Sequence, residues 1–222
     1  MKLKTNKYLE NKTITNIWLL FFFVVLYFLL KYYIPYWNQI LYPITLIVTF
    51  LHEFWHSFFA LITWGLVKSI EINSNWSWLA TTTWWIRNIV IMWGYIGSAI
   101  FWNILIYIWF KNKKLSEKII YLLAWLMIFA WVFWFSWFIS SIILFLLASL
   151  LIFIEKFTKY DSLILQFLWI SSILYIIEDF NVWPSSDLSK FSTFLPSSIW
   201  MIIWLLIVIA ITIFNFRLIF KK

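Results

Sequence analysis

Three glycines and no cysteine stand in a chain of 222 residues, and only 12% of its side chains carry charge. Without cysteine there are neither disulfides nor thiolate metal sites. The shortage of charge, against about 25% in an average soluble domain, removes the polar exterior that a soluble globule needs. What is there instead is apolar: hydrophobic residues make up 64% and aromatic residues 24%, and the mean hydropathy is +0.90. An ordinary soluble enzyme, a disordered chain and a fibrous repeat protein are excluded. The composition predicts a single membrane-embedded domain over residues 1–222. A net charge of +8 raises the question of nucleic acid, but the lysines sit at the ends of apolar runs, as membrane-flanking charge does. The expected surroundings are a lipid bilayer, with no nucleic-acid partner.

The glycine shortage has a counterpart. An average glycine content near 7% would give roughly 15 residues, and membrane helices usually favour glycine. The chain has 3 Gly and 19 Trp. Several indoles fall away from run ends, where an aromatic belt would put them: Trp131, Trp134 and Trp137 lie within an apolar run, and Trp76 and Trp78 in an expected turn. Abundant Lys, Ile, Asn and Phe with only two Arg fit an AT-rich gene. Paired deficit and excess of this kind arise when UGA codons that a cell reads as glycine are written as tryptophan. The reading predicts glycine at Trp55, Trp76, Trp78, Trp93, Trp102 and Trp183; an aromatic-rich membrane protein is the alternative.

Apolar runs set the organisation. A polar N-terminal tail, 1–15, precedes a run at 16–34, which is too long for a signal-peptide core and is read as a retained helix. A second run, 40–66, follows Pro35 and Pro43. The stretch 67–87 reads as a β-hairpin-like loop: Ile70 and Ile72 alternate with Glu71 and Asn73, Ser74, Asn75 and Ser77 suggest a turn, and Ala80–Thr83 a second strand. A third run covers 88–110. Residues 119–154 are too long for one span and predict a helical hairpin. Runs at 161–180 and 194–216 close the chain. The expected fold is all-α and polytopic, with about seven transmembrane helices and a short β-hairpin after the second. Basic residues divide too evenly between the two sides to fix an orientation.

The only two histidines, His52 and His56, are four apart, and Glu53 follows the first. On a helix the two imidazoles are 40° apart and one turn apart in height. An H-E-x-x-H pattern on one face lets both rings bind one zinc ion, with the glutamate placed as general base. Shuffling this composition gives the pattern in roughly one chain of 4,000. Ionisable groups at mid-membrane are costly and usually mark function. A catalytic zinc site needs a third protein ligand and an open position. No other His or Cys exists, which leaves a carboxylate: Glu155, Asp161, Glu178, Asp179 or Asp187. Glu155 and Asp161 flank Lys156 and Lys159, as a solvated turn would. Asp187 stands in Pro184-Ser185-Ser186-Asp187-Leu188 before the last run, where a simple turn or cap is the competing role.

His52-Glu53-Phe54-Trp55-His56, the strand-like stretch after it, Gly94-Tyr95-Ile96-Gly97-Ser98-Ala99, and Asp179 followed by Ser186-Asp187 occur in an order that resembles the site-2 protease clan of intramembrane zinc metallopeptidases, in its bacterial B-like subgroup. The resemblance covers about residues 40–215, a zinc-motif helix at 40–66 and a distal ligand region at 161–216. It implies zinc held by His52, His56 and a distal aspartate, Asp187 or Asp179, with Glu53 as base. It also implies a multi-pass protein of the bacterial cell membrane that cleaves membrane-protein substrates, and a substrate strand pairing with Lys68–Thr83. Asn103 and Asn181 are candidates for oxyanion stabilisation, against an ordinary structural hydrogen bond. Two departures stand out. Better-known members carry Asn-Pro-Asp-Gly at the third ligand, where this chain has Ser-Ser-Asp-Leu. They also carry a small residue where Trp55 stands, beside the ligand face. Outside proteolysis, a catalytically idle scaffold or regulator of the same fold is the alternative. A zinc transporter would need further ligands along a path, and the chain has a single pair of histidines.

Overall fold

The computed structural model describes residues 2–72, 78–83, 86–111, 115, 118–134, 138–157, 161–180, 186–191 and 195–220. Helix α1 (Lys2–Tyr33) is continuous, so the expected polar tail at 1–15 is helical from its second residue. Once an apolar helix is nucleated, adding lysine, glutamate and leucine turns to its end carries no second nucleation cost. Pro35 ends it, because the residue before a proline is pushed out of the α region. Helix α2 (Trp37–Ile62) follows, with Pro43 inside it.

The zinc-motif helix stops four residues short of the expected 66. Gly65 N–H donates to the Ala60 carbonyl at 2.7 Å and Trp64 N–H to Leu61 at 3.0 Å. This pair of bonds is a Schellman C-terminus. It places Trp64 at φ 62°, the left-handed position ordinarily held by glycine. A Cβ on Gly65 would collide with the Thr83 carbonyl and lie 2.9 Å from that of Ala60, so this residue lets the chain turn straight into strand β1.

β1 (Leu66–Ile72) and β2 (Trp78–Thr83) form an antiparallel pair, with Ile70 opposite Ala80, Ile72 opposite Trp78 and an irregularity between Val67 and Ser69. The expected hairpin is there, with its second strand starting at Trp78 rather than Ala80. Trp78 is therefore a strand residue and not a turn residue; its ring meets Phe50 of α2 at 5.7 Å. Helices α3 (Arg87–Lys111), α4 (Ile119–Phe133), α5 (Phe138–Phe157), α6 (Asp161–Asp179), α7 (Asp187–Lys190) and α8 (Ser197–Phe220) follow among the described residues. The α4–α5 pair is the helical hairpin expected from 119–154, and its two helices pack together.

Helix α2 lies at the centre, against α1, α3, α6 and both strands; α3 in turn packs on α6, α7 and α8. Among the described residues, four segments are long and apolar enough to cross a membrane: Leu41–Ile62, Arg87–Lys111, Phe138–Phe157 and Ser197–Ile219. Trp18–Tyr33 and Ile119–Phe133 are shorter apolar helices, so length and composition alone do not reach about seven crossings. Large apolar side chains such as Phe21, Ile104, Phe145 and Leu206 face outward, as a lipid-facing surface requires. The protein is a membrane protein, largely helical, with a two-stranded hairpin.

Candidate metal centre

His52 and His56 share one face of α2, with ring centroids 4.6 Å apart and Nε2 atoms 3.0 Å apart. His56 Nδ1 lies 2.8 Å from the Val90 carbonyl of α3. A carbonyl only accepts, so Nδ1 carries the proton and Nε2 of a neutral ring keeps its lone pair for a ligand. On the facing side, a Cβ at Gly94 would run into the His56 ring and come within 2.8 Å of His52 Cε1. Only glycine lets α3 approach the two imidazoles this closely.

The third donor arrives from α7. Asp187 Oδ2 is 3.1 Å from His52 Nε2 and 2.9 Å from His56 Nε2. Ser186, not Asp187, caps this helix, accepting from Ser189 N–H at 3.2 Å. That frees the aspartate to point at the histidines. Leu188, buried with Ile91, Tyr95 and Trp204, pins α7 in place. Burial works against the charged form of Asp187, but the two imidazoles, when protonated, outweigh it and hold the carboxyl well below the usual carboxylate range. Lys190 lies 3.7 Å from its other oxygen.

One donor atom from each of His52, His56 and Asp187 lies within 4.8 Å of the others. A tetrahedral zinc ion with donors at about 2.0–2.2 Å sets them roughly 3.3–3.6 Å apart. The observed triangle of 2.9–3.1 Å is close to one face of such a tetrahedron. Two nitrogens and a carboxylate oxygen are also the donor types of a catalytic zinc site, so the residues present fit a zinc ion.

Glu53, next along the helix, accepts a hydrogen bond at Oε2 from the backbone N–H of Ala80 in β2, at 2.8 Å. Asp179 at the end of α6 accepts from Tyr95 O–H at 2.9 Å, and the Tyr95 ring meets that of His52 at 4.6 Å. Asp179 therefore stands behind a tyrosine and outside the donor triangle. Glu178 takes Tyr27 and Lys31 as partners and lines, with Asp179, a polar cleft of about 220 Å³ between α1, α2 and α6. Glu155 lies at the end of α5 and outside the donor group; Asp161 opens α6.

Asn103 bonds to the Ala99 carbonyl and Thr212, and Asn215 donates to it in turn, at 2.8–3.2 Å. It is a buried tie between α3 and α8, which is the structural role. Asn181 lies outside the described residues. Sequence reasoning missed two groups at the site. Tyr95 was visible within Gly94-Tyr95-Ile96-Gly97 but carried no role, and a backbone N–H such as that of Ala80 leaves no signal in residue type.

A membrane chain with an H-E-x-x-H helix and a distal aspartate brought onto both histidines defines a membrane-embedded, metallopeptidase-like class of protein. The chain belongs to the Peptidase M50B-like family, whose model matches residues 19–215. No characterised protein and no solved structure matches it.

Proposed function

We propose that this protein is an intramembrane zinc metalloprotease of the bacterial cell membrane, hydrolysing peptide bonds of membrane-protein substrates. The observation that carries the reading is the convergence of His52, His56 and Asp187 in a membrane chain of a peptidase family. In this reading the seven long helices among the described residues, α1 to α6 and α8, cross or enter the bilayer. His52, His56 and Asp187 are the metal ligands, and Asp179 supports the site through Tyr95 without binding the ion.

Zinc at these donors supplies Lewis-acid polarisation of the scissile carbonyl and makes water acidic enough to deprotonate near neutral pH. Glu53 takes the proton of the attacking water through its free carboxylate oxygen as the new C–O bond forms. It returns that proton to the leaving amine as the C–N bond breaks. A peptide bond inside a helix is shielded, and its freed backbone groups need partners in an apolar medium. The outer edge of β2, beside Glu53, offers those partners to an extended substrate by strand addition.

Purified protein in detergent, assayed for zinc and for cleavage of a transmembrane peptide, tests the reading. Wild type is expected to hold one zinc and cleave. Glu53→Gln is expected to keep the zinc and lose cleavage, because it preserves shape and removes the base. Wild-type cleavage by Glu53→Gln would refute the mechanism.

A further inference from the structure

On each outer edge of the hairpin a backbone amide is tied to a helix. On β1, Ile72 N–H donates to Ser140 Oγ of α5 at 2.9 Å; on β2, Ala80 N–H donates to Glu53 Oε2 at 2.8 Å. The register places both on the same logic. Ile70 opposite Ala80 and Ile72 opposite Trp78 are pairs whose N–H groups point away from the partner strand, alternating with pairs that bond across the ladder. The Ala80 amide is therefore not borrowed from the sheet. It is an outward donor, and a carboxylate on the neighbouring helix takes it.

That carboxylate belongs to the residue between the two histidines. A glutamate on a helix has three rotatable side-chain bonds, and holding it in one geometry has an entropic cost. A charge-assisted bond from a backbone N–H, roughly twice as strong as a neutral one, fixes one of its two oxygens. The backbone itself is fixed by Ile70 and Trp78, both buried, and by the Trp78–Phe50 ring contact at 5.7 Å.

We infer that the Ala80 backbone amide is a positioning group for Glu53: it anchors Oε2, leaves Oε1 to accept the proton of the attacking water, and so makes the hairpin part of the machinery that aims the base. The inference rests on the proposed proteolysis. It has a consequence for the substrate. An extended peptide added to the outer edge of β2 has to pair through Trp78 and Thr82, whose N–H groups alternate to the same side as that of Ala80. The peptide then straddles the position at which Glu53 is held.

Two measurements test this. Ala80→Pro removes the N–H at an edge position where proline is tolerated, whereas Ala80→Gly retains it. Kcat of Ala80→Pro is expected to fall about tenfold to a hundredfold, the loss that follows a misplaced catalytic group, with KM and zinc content held. Ala80→Gly stays above Ala80→Pro by the same factor. Equal kcat in wild type and Ala80→Pro, or an equal fall in both variants, overturns the inference.

The second measurement does not need activity. The chain has seven alanines, so ¹⁵N-alanine labelling gives a short amide spectrum. In zinc-loaded Glu53→Leu the Ala80 amide proton is expected to move upfield, with the largest displacement among the seven. An unmoved Ala80 amide overturns the inference even if Ala80→Pro fails to fold. A displaced amide in a protein that cleaves nothing upholds the anchor and counts against the proteolytic reading instead.

Discussion

Gly94→Ala adds one methyl group where α3 faces both histidines. The new Cβ would lie 2.8 Å from His52 Cε1 and overlap the His56 ring, whereas carbon atoms rest about 3.5–4.0 Å apart. The rings or the helix must therefore retreat by roughly 1 Å. Neither ring has free travel: His56 is tied to the Val90 carbonyl at 2.8 Å, and His52 is backed by Tyr95 at 4.6 Å between centroids. A misplacement of about 1 Å at a catalytic site costs on the order of a hundredfold in rate, or about 2.7 kcal/mol. Helix propensity pushes the other way, since alanine is favoured over glycine by about 1 kcal/mol in a helix interior. If propensity governed, the variant would be the more stable protein and as active as wild type. Zinc per chain by mass spectrometry, cleavage of a transmembrane peptide and thermal unfolding separate the two effects. The expected result is weakened zinc binding and about a hundredfold less cleavage. Gly97→Ala serves as comparison, because the nearest atoms to its Cβ belong to the side chains of Trp55 and Trp93, at 3.0–3.2 Å, rather than to either histidine; it should keep its zinc. Full zinc occupancy and wild-type cleavage in Gly94→Ala would refute the close-approach argument.

His52→Ala and His56→Ala are each expected to abolish stoichiometric zinc binding, and equal zinc in wild type and both variants would remove the metal from the proposal. Asp187→Ala should weaken zinc in a competition titration more than Asp179→Ala, because Asp187 touches both imidazoles at 2.9–3.1 Å while Asp179 accepts from Tyr95, whose ring backs His52; the reverse order would exchange their roles.

The histidine pair and its glutamate were legible because a helix converts a spacing of four into a shared face, and because three ionisable groups in an apolar run demand a reason. The hairpin was legible in its alternation at Ile70 and Ile72. The aspartate was not decidable: Asp179 and Asp187 both follow in the right order, and what separates them is the four-residue helix α7, with Ser186 as its cap and Leu188 as its anchor. No periodicity shows in so short an element. The continuation of α1 into 1–15 was hidden for the opposite reason, since polarity reads as a tail although it does not stop a helix already started.

The structure also bears on the surplus of tryptophan. Trp64 occupies the C′ position of a Schellman motif at φ 62°, a site the sequence reading did not single out and one where a bulky residue costs about 1–3 kcal/mol. Among the described residues, the buried indole N–H groups of Trp55, Trp78, Trp102, Trp169 and Trp204 have no hydrogen-bond partner, although buried tryptophan usually finds one. At about 1–3 kcal/mol for each unsatisfied donor, five together rival the whole net stability of an ordinary domain, about 5–15 kcal/mol. Trp55 stands where the Gly97 Cβ would be, 3.0 Å from its Cγ, so that an indole props apart two helices that small residues would let close. The pattern is not uniform. Trp78 has no turn to make, and Trp93 stacks on Phe59 at 4.0 Å with rings nearly parallel, a contact that suits an aromatic residue; Trp76 and Trp183 lie outside the described residues. Glycine is therefore expected first at Trp64, Trp55 and Trp102. Trp64→Gly, encoded by GGG in place of UGG, should raise stability by about 1 kcal/mol through relief of the left-handed backbone. The gene itself is the sharper test: UGG codons at these three positions would end the idea, and UGA codons would make glycine the residue that lets α2 turn into the hairpin and close on α3 beside His52 and His56.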